Sequence, residues 1–295
     1  MTRYEPAIDL DAITAIDVHV HIEVDPHGHS SLPDDLRDAA AKYFSTDGPN
    51  PDLDGVAAYY RERNMAAVVF TVDAETNFGH PPISSADIAE GAARNNDVLI
   101  PFGSVDPLKA GAVDDARRLI EDSGVRGFKF HPTVQGFDPS DESYFALYEL
   151  LQAAGVVALF HTGQTGIGAG LPGGRGLLLG RSNPILLDPV AARFPDLQII
   201  MAHPSVPWQD EALSVATHKH NTWIDLSGWS PKYFPESLVR AANSYLKRRV
   251  LFGSDFPLLT PDRWMRDAEA TGSFKPEVMP GILKDNAARL LGLGS

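Results

Sequence analysis

The chain has 295 residues, 43% of them hydrophobic and 22% charged, with 39 Asp and Glu against 25 Lys and Arg and a formal charge of -14. That composition fills a globular core, and with no basic run to offset the acidic field it argues against nucleic acid or an anionic membrane as partner. Cysteine is absent, which excludes disulfides, thiolate metal sites and a cysteine nucleophile, so any metal must be held by nitrogen and oxygen.

The opening MTRYEPAIDLDAI lacks the basic and long apolar stretches of a signal peptide, and no apolar run reaches bilayer-spanning length; a cytoplasmic location is expected. Residues 15–24, AIDVHVHIEV, read as the first strand. A side-chain period of two puts Asp17, His19, His21 and Glu23 on one face and Ile16, Val18, Val20, Ile22 and Val24 on the other. Two histidines at i, i+2 can aim at one point, as metal ligands must, although an edge strand with a polar solvent face would look the same.

Helical and strand patterns then alternate. LDGVAAYYRERN is helical and AAVVFTVD the second strand; SSADIAEGAARN precedes the third, VLIPFGSVD. AVDDARRLIEDSG leads to VRGFKFHP, and PSDESYFALYELLQAAG to VVALFHTG. PILLDPVAARFP precedes LQIIMAHP, QDEALSVATHKH precedes TWIDLSGW, and PESLVRAANSYLKR precedes VLFGSDFP. Eight apolar strands covered by helices predict an α/β fold of (β/α)8 TIM-barrel type in a single domain over residues 1–295, with an open doubly wound sheet as the competing architecture.

Polar residues cluster at the carboxyl ends of these strands: His19 and His21 on the first, Lys129 and His131 on the fourth, His161 on the fifth, His203 on the sixth and Asp255 on the eighth. In a barrel those ends surround one mouth, where barrel enzymes place their chemistry. Singly, His161 and His203 could be core histidines and Asp255 a turn cap; their convergence on several strands points to a metal instead. One divalent cation held by His19, His21, His161 and Asp255 would leave a position for water or substrate, with zinc the best match and manganese or iron tolerated. Asp255 would also carry the proton, and His203 would stand beside the metal to polarise a carbonyl or steady negative charge.

The motifs DVHVH, LFHTG, MAHPS and FGSDFP, in this order over nearly the whole chain, resemble the amidohydrolase superfamily, and within it the branch of aminocarboxymuconate semialdehyde decarboxylase and resorcylate decarboxylase. The resemblance implies a metal-dependent hydrolase-type barrel with one metal on His19, His21, His161 and Asp255, and a catalytic His203. In other branches a carboxylated lysine of the fourth strand bridges two metals. Lys129 of GFKFHP is near that height; otherwise it is a cation for a substrate carboxylate or phosphate.

The glycine-rich stretch HTGQTGIGAGLPGGRGLLLGRSNP carries Arg175 and Arg181, which could hold an anionic ligand, though a surface loop would have the same composition. His131 is a further substrate contact by position, Trp208, Trp229 and Tyr233 could wall the site, and the segment with His27 and His29 could cap it. GFKFHPTVQGFDP, FHTGQTGIGAGLPGGRG and MAHPSVPWQDEA also resemble actinobacterial 4-hydroxyphenyl-β-ketoacyl-CoA hydrolases. That likeness implies hydrolytic carbon–carbon cleavage of an aromatic β-ketoacyl-CoA, with Lys129, Arg175 and Arg181 on the CoA phosphates. The alternatives are a non-oxidative decarboxylase of a hydroxylated aromatic or muconate-type acid and a non-catalytic ligand-binding barrel. The partner is therefore a small molecule, an anionic aromatic or an acyl-CoA, and the relatives imply a homodimer.

Overall fold

Whether eight strands make an open sheet or a barrel depends on where the last one ends. In the computed structural model, which describes residues 2–44 and 50–294, the strands are β1 (Ala15–His21), β2 (Met65–Phe70), β3 (Leu99–Gly103), β4 (Gly127–Phe130), β5 (Val157–His161), β6 (Ile199–Ala202), β7 (Thr222–Asp225) and β8 (Val250–Leu251). Each pairs in parallel with the next. The segment leaving β8 then returns to β1: Val18 N donates to Phe252 O (3.0 Å), Asp255 N to His19 O (3.0 Å) and His21 N to Phe256 O (2.8 Å), with a parallel bridge between Val20 and Phe256. The sheet thus becomes the TIM barrel that the alternating pattern predicts, and the open architecture falls away.

Each predicted strand appears, trimmed by a few residues, because the apolar run extends past the last ladder hydrogen bond. The connecting helices start where short polar side chains satisfy free backbone N–H groups: Asp52 accepts from Gly55 N, Ser84 from Asp87 N and Thr260 from Arg263 N. The stretch read as one helix from residue 112 is α-helical over Ala112–Arg118 and widens into a π turn at Leu119–Ser123. Helices at Asp34–Phe44, Pro261–Thr271 and Asn286–Leu291 lie in stretches the periodicity left unassigned. No helix among the described residues is long and apolar enough to cross a membrane.

Two apolar layers result. Ile16, Val18, Val68, Ile100, Leu159, Ile200 and Leu251 fill the barrel, and Ala287, Ala288 and Leu291 of the last helix join this cluster. The outward residues of the same strands, such as Val20, Val69, Phe130 and Phe160, pack against the helices. Both faces of every strand are covered, which is why the strands read as near-continuous apolar runs.

β1 departs from strict alternation. Its pairing with β2 shifts between Asp17 and Val20, so Asp17 does not share a face with His19 and His21 as the period of two predicts. Asp17 instead points out of the ring and is fully buried; Oδ1 accepts from His19 N (3.1 Å) and Ser254 N (2.9 Å), and Oδ2 from Tyr60 Oη (2.7 Å). This carboxyl ties β1, the segment after β8 and the helix Leu53–Glu62 together just behind the histidines.

Burial raises the Asp17 carboxyl from 3.8 to about 7, against the lowering effect of its hydrogen bonds from Ser254, Tyr60 and His19. The folded state therefore holds this proton more tightly than the unfolded chain. The associated stability is complete below the unfolded value and is lost as pH rises through about 7. Thermal unfolding at a series of pH values is expected to show the wild type losing ground to Asp17→Asn between roughly pH 4 and 7, by a few kcal/mol at most. A constant difference across that window would refute it.

Candidate active site

At the carboxyl ends of the strands the interior side chains turn polar. The shift in β1 brings both His19 and His21 inward, with Nε2 atoms 3.3 Å apart. The hydrogen bond from Asp255 N to His19 O carries the Asp255 carboxylate to the same place: Oδ1 lies 3.2 Å from His19 Nε2 and 3.3 Å from His21 Nε2. From β6, His203 completes a group with His19 and Asp255 whose donor atoms all fall within 4.8 Å of one another. His161 of β5 reaches the group through His203, with Nδ1 2.9 Å from His203 Nε2, and stacks on His131 at 3.8 Å between ring centres. His203 and Asp255 both adopt left-handed backbone, with φ 70 and 72°, a conformation that costs a non-glycine residue energy and that is held by the surrounding contacts.

Burial dominates the electrostatics. It pushes His19, His131 and His161 well below the ordinary imidazole value and lowers His203, so these four rings are neutral near pH 7. For Asp255 burial acts to raise the carboxyl, but His19, His21 and His203 outweigh it and hold the group well below the usual carboxylate range. Neutral imidazoles around an ionised carboxylate are the protonation states that a cation requires.

Lys129 is fully buried at the floor of the site, with Nζ 3.0 Å from His19 Nε2; burial brings it down to about 8, opposed by Asp255 and Asp225. It is thus out of reach of a nucleotide phosphate at the mouth, contrary to one reading of the sequence. Above the floor opens a cavity of about 350 Å³ lined by His21, His131, His161, His203 and Asp255, with Phe44, Trp229 and Tyr233 as aromatic walls. Arg175, Arg181 and Trp208 do not line it. Arg175 pairs with Asp35 at 2.8 Å, Arg181 lies beside Gly136, and Trp208 sits at the start of the helix Gln209–His218. The glycine-rich loop does reach the cavity: a Cβ at Gly166 would collide with the Phe44 ring. His29 stacks on His80 at 5.3 Å and ties the loop after β1 to the loop after β2, beside the cavity rather than in its wall.

Sequence reasoning missed several residues here, Phe44 of the aromatic wall among them. Arg263 and Gln164 line the cavity, and Asp225 and Ser227 lie buried beneath His19 and His203. Asp225 ends β7 at the height of the other functional residues, a signal that was available; the others sit in loops or on a helix that periodicity does not place.

A model of the amidohydrolase family matches residues 16–293 of this chain. The chain belongs to the amidohydrolase family. No curated protein sequence matches it. Solved structures similar to this amidohydrolase include an uncharacterized TIM-barrel protein from Bordetella bronchiseptica, at 22% identity and TM-score 0.74, covering 94% of this chain and 98% of that one. A protein assigned as a 2-pyrone-4,6-dicarboxylic acid hydrolase from Acinetobacter baumannii, with citric acid bound, is similar at 15% identity and TM-score 0.65, over 95% and 100%. A dihydroxybenzoic acid decarboxylase from Polaromonas, with bound manganese and the inhibitor 2-nitroresorcinol, is similar at 16% and 0.62, over 95% and 97%. At such identities the shared property is the fold.

The amidohydrolase's own residues fit a metal. Two donors each about 2.0–2.1 Å from a tetrahedral zinc are about 3.3–3.4 Å apart. The His19, His21 and Asp255 atoms form a triangle with edges of 3.2 to 3.3 Å, one face of such a site. His161 Nε2 is buried with no hydrogen-bond partner among the described residues, as befits an atom that serves a ligand.

Gly228 tests how tightly the site is built. It has φ +74°, and a Cβ there would lie 2.7 Å from His203 Nδ1 and 3.2 Å from Asp255 Oδ2. Gly228→Ala is expected to weaken zinc retention by roughly 10-fold or more while leaving a folded barrel, since displaced ligands bind far less well. Metal content after dialysis, alongside circular dichroism, measures this; full zinc occupancy in the variant would contradict the geometry.

Proposed function

We propose that this amidohydrolase breaks a carbon–carbon bond next to a carboxyl or keto carbon of a small aromatic acid. One divalent cation, zinc or in its place manganese or iron, would be held by His19, His21, His161 and Asp255. The observation that carries the reading is the donor triangle at the floor of a cavity of about 350 Å³ with aromatic walls, a size suited to one substituted ring. The cation, when bound, supplies Lewis-acid stabilisation of negative charge on substrate oxygens. Trp229, Tyr233 and Phe44 hold the ring by burial of its faces. Asp255, kept ionised by its histidines, is placed to take a proton and return it to the carbon from which the carboxyl group departs. His203 faces the same point and steadies the charge that develops there.

Non-oxidative decarboxylation of a hydroxylated aromatic acid is the form of this chemistry we favour, because the cavity is small and the cations expected for a CoA tail do not gather at it. The dihydroxybenzoic acid decarboxylase among the similar structures is in keeping with that choice. Hydrolytic cleavage of a 4-hydroxyphenyl-β-ketoacyl-CoA is the second reading. It uses the same residues, with Asp255 placed to take the proton of the attacking water, and is favoured by the position of that ionised carboxylate in the wall of the cavity, where it can accept a water proton.

Incubating the zinc- or manganese-loaded protein with 2,6-dihydroxybenzoate and, separately, with a 4-hydroxyphenyl β-ketoacyl thioester separates the two. Carbon dioxide from the first is expected; release of the aromatic acid from the second, without carbon dioxide from the first, would establish the hydrolase instead. Chelator treatment should abolish turnover and restored metal should recover it. Asp255→Asn is expected to lower kcat by about 10²–10⁴, the range for loss of a proton carrier. Two metal ions per chain by elemental analysis would replace the single-metal centre with one bridged through Lys129.

A further inference from the structure

Beneath the cluster, two buried residues of β7 and the turn after it contact His19 and His203 from behind. Asp225 Oδ2 lies 2.7 Å from His19 Nδ1, and Asp225 Oδ1 accepts the backbone N–H of Ser227 at 2.7 Å. Ser227 Oγ stands between the two rings, 3.0 Å from His19 Nδ1 and 2.9 Å from His203 Nδ1, and the Ser227 carbonyl oxygen is 3.2 Å from the same His203 atom. Asp225 and Ser227 are fully buried. Gly253 leaves them their space, since a Cβ there would lie 2.9 Å from Asp225 Oδ1 and from Ser227 Cβ and 3.1 Å from His19 Cβ.

Proton accounting at these contacts has one solution. An ionised carboxylate and a carbonyl oxygen only accept, so His19 Nδ1 must donate to Asp225 and His203 Nδ1 must donate to Ser227 O. A neutral imidazole carries one N–H, so in both rings Nε2 is left as a lone pair. On the opposite side the Lys129 ammonium points at His19 Nε2 (3.0 Å) and His161 Nδ1 is 2.9 Å from His203 Nε2, while Asp255 Oδ1, 3.2 Å from His19 Nε2, meets that lone pair as a second acceptor, an approach that a cation between them would satisfy. Ser227 Oγ accepts from both Nδ1–H groups at once, so one hydroxyl links the orientation of the two rings.

We infer that Asp225 and Ser227 are the positioning pair of this site, locking His19 and His203 in the Nδ1–H form so that both Nε2 lone pairs face one point. The inference rests on the proposed metal centre only for what occupies that point. Neither residue touches substrate in this arrangement; each acts through the imidazole it holds. A ligand histidine whose second nitrogen is fixed by a carboxylate binds metal about 10- to 100-fold more tightly than one without that support.

Two measurements test this. Nitrogen-15 correlation spectra of the side-chain imidazoles in the zinc-loaded protein are expected to show His19 and His203 protonated at Nδ1. Zinc competition against a chelator is expected to give a Kd raised 10- to 100-fold in Asp225→Asn, where a neutral amide replaces the acceptor, and raised less in Ser227→Ala, which keeps the backbone carbonyl. The two changes together should fall short of the sum of their separate effects, because they share the same rings. Should Asp225→Asn fail to fold, the wild-type spectra and Ser227→Ala still decide. Protonation of either ring at Nε2, or a folded Asp225→Asn with unchanged zinc affinity, overturns the assignment. A wild type that takes up no metal yet shows both Nδ1–H rings retains the positioning pair and removes the metal reading instead.

Discussion

The backbone hydrogen bond from Asp255 N to His19 O, with its two neighbours, is the joint on which the molecule depends. It turns a sheet with two open edges into a ring, and it does so at the height where the chemistry sits. Without it the eighth-strand carboxylate and the first-strand histidines would lie at opposite edges of a twisted sheet. Closure and site assembly are therefore one event. The buried Asp17 carboxyl just outside the ring reinforces the joint from behind, accepting from Ser254 and Tyr60 as well as from β1 itself.

Within the ring, low dielectric does two opposite things. It penalises charge on His19 and His203, while the contacts that His19, His21 and His203 make with Asp255 hold that carboxyl well below the usual carboxylate range. Such a cluster is costly for a barrel to maintain on packing grounds alone. So is the left-handed backbone at His203, Ser205 and Asp255, three non-glycine residues close to the mouth. Strain and buried polarity concentrated in one place, over an apolar barrel interior that shows neither, are what a site shaped for a ligand looks like.

Loops from different strands define the space above the floor. The end of the helix Asp34–Phe44 meets the glycine-rich loop at Gly166, where the lack of a side chain lets the Phe44 ring approach, and Arg175 clasps Asp35 beyond it. Arg175 thus reads as a link between two covering segments, and the ring-sized cavity follows from their meeting. In this fold covering loops commonly shape the space above the strand ends, and the strand ends carry the polar groups.

Much of this was legible in the order of residues alone. Eight apolar runs separated by helical periodicity pointed to a parallel sheet, barrel or open doubly wound, and His19, His21, His161, His203 and Asp255 stood out because chemically active residues ended so many of those runs. Local pattern fails where contacts between distant segments decide. The shift in β1 that sends Asp17 outward, the burial that places Lys129 at the floor, and the pairing that draws Arg175 away from the cavity each depend on a neighbour far along the chain. Asp225 and Ser227 gain meaning only once ring closure brings the end of β7 and the turn after it up to His19 and His203. The sequence alone determined which residue types reach the mouth, because side-chain period and strand length are local properties; the tertiary structure decided which of them share a site, because convergence is a property of the closed ring.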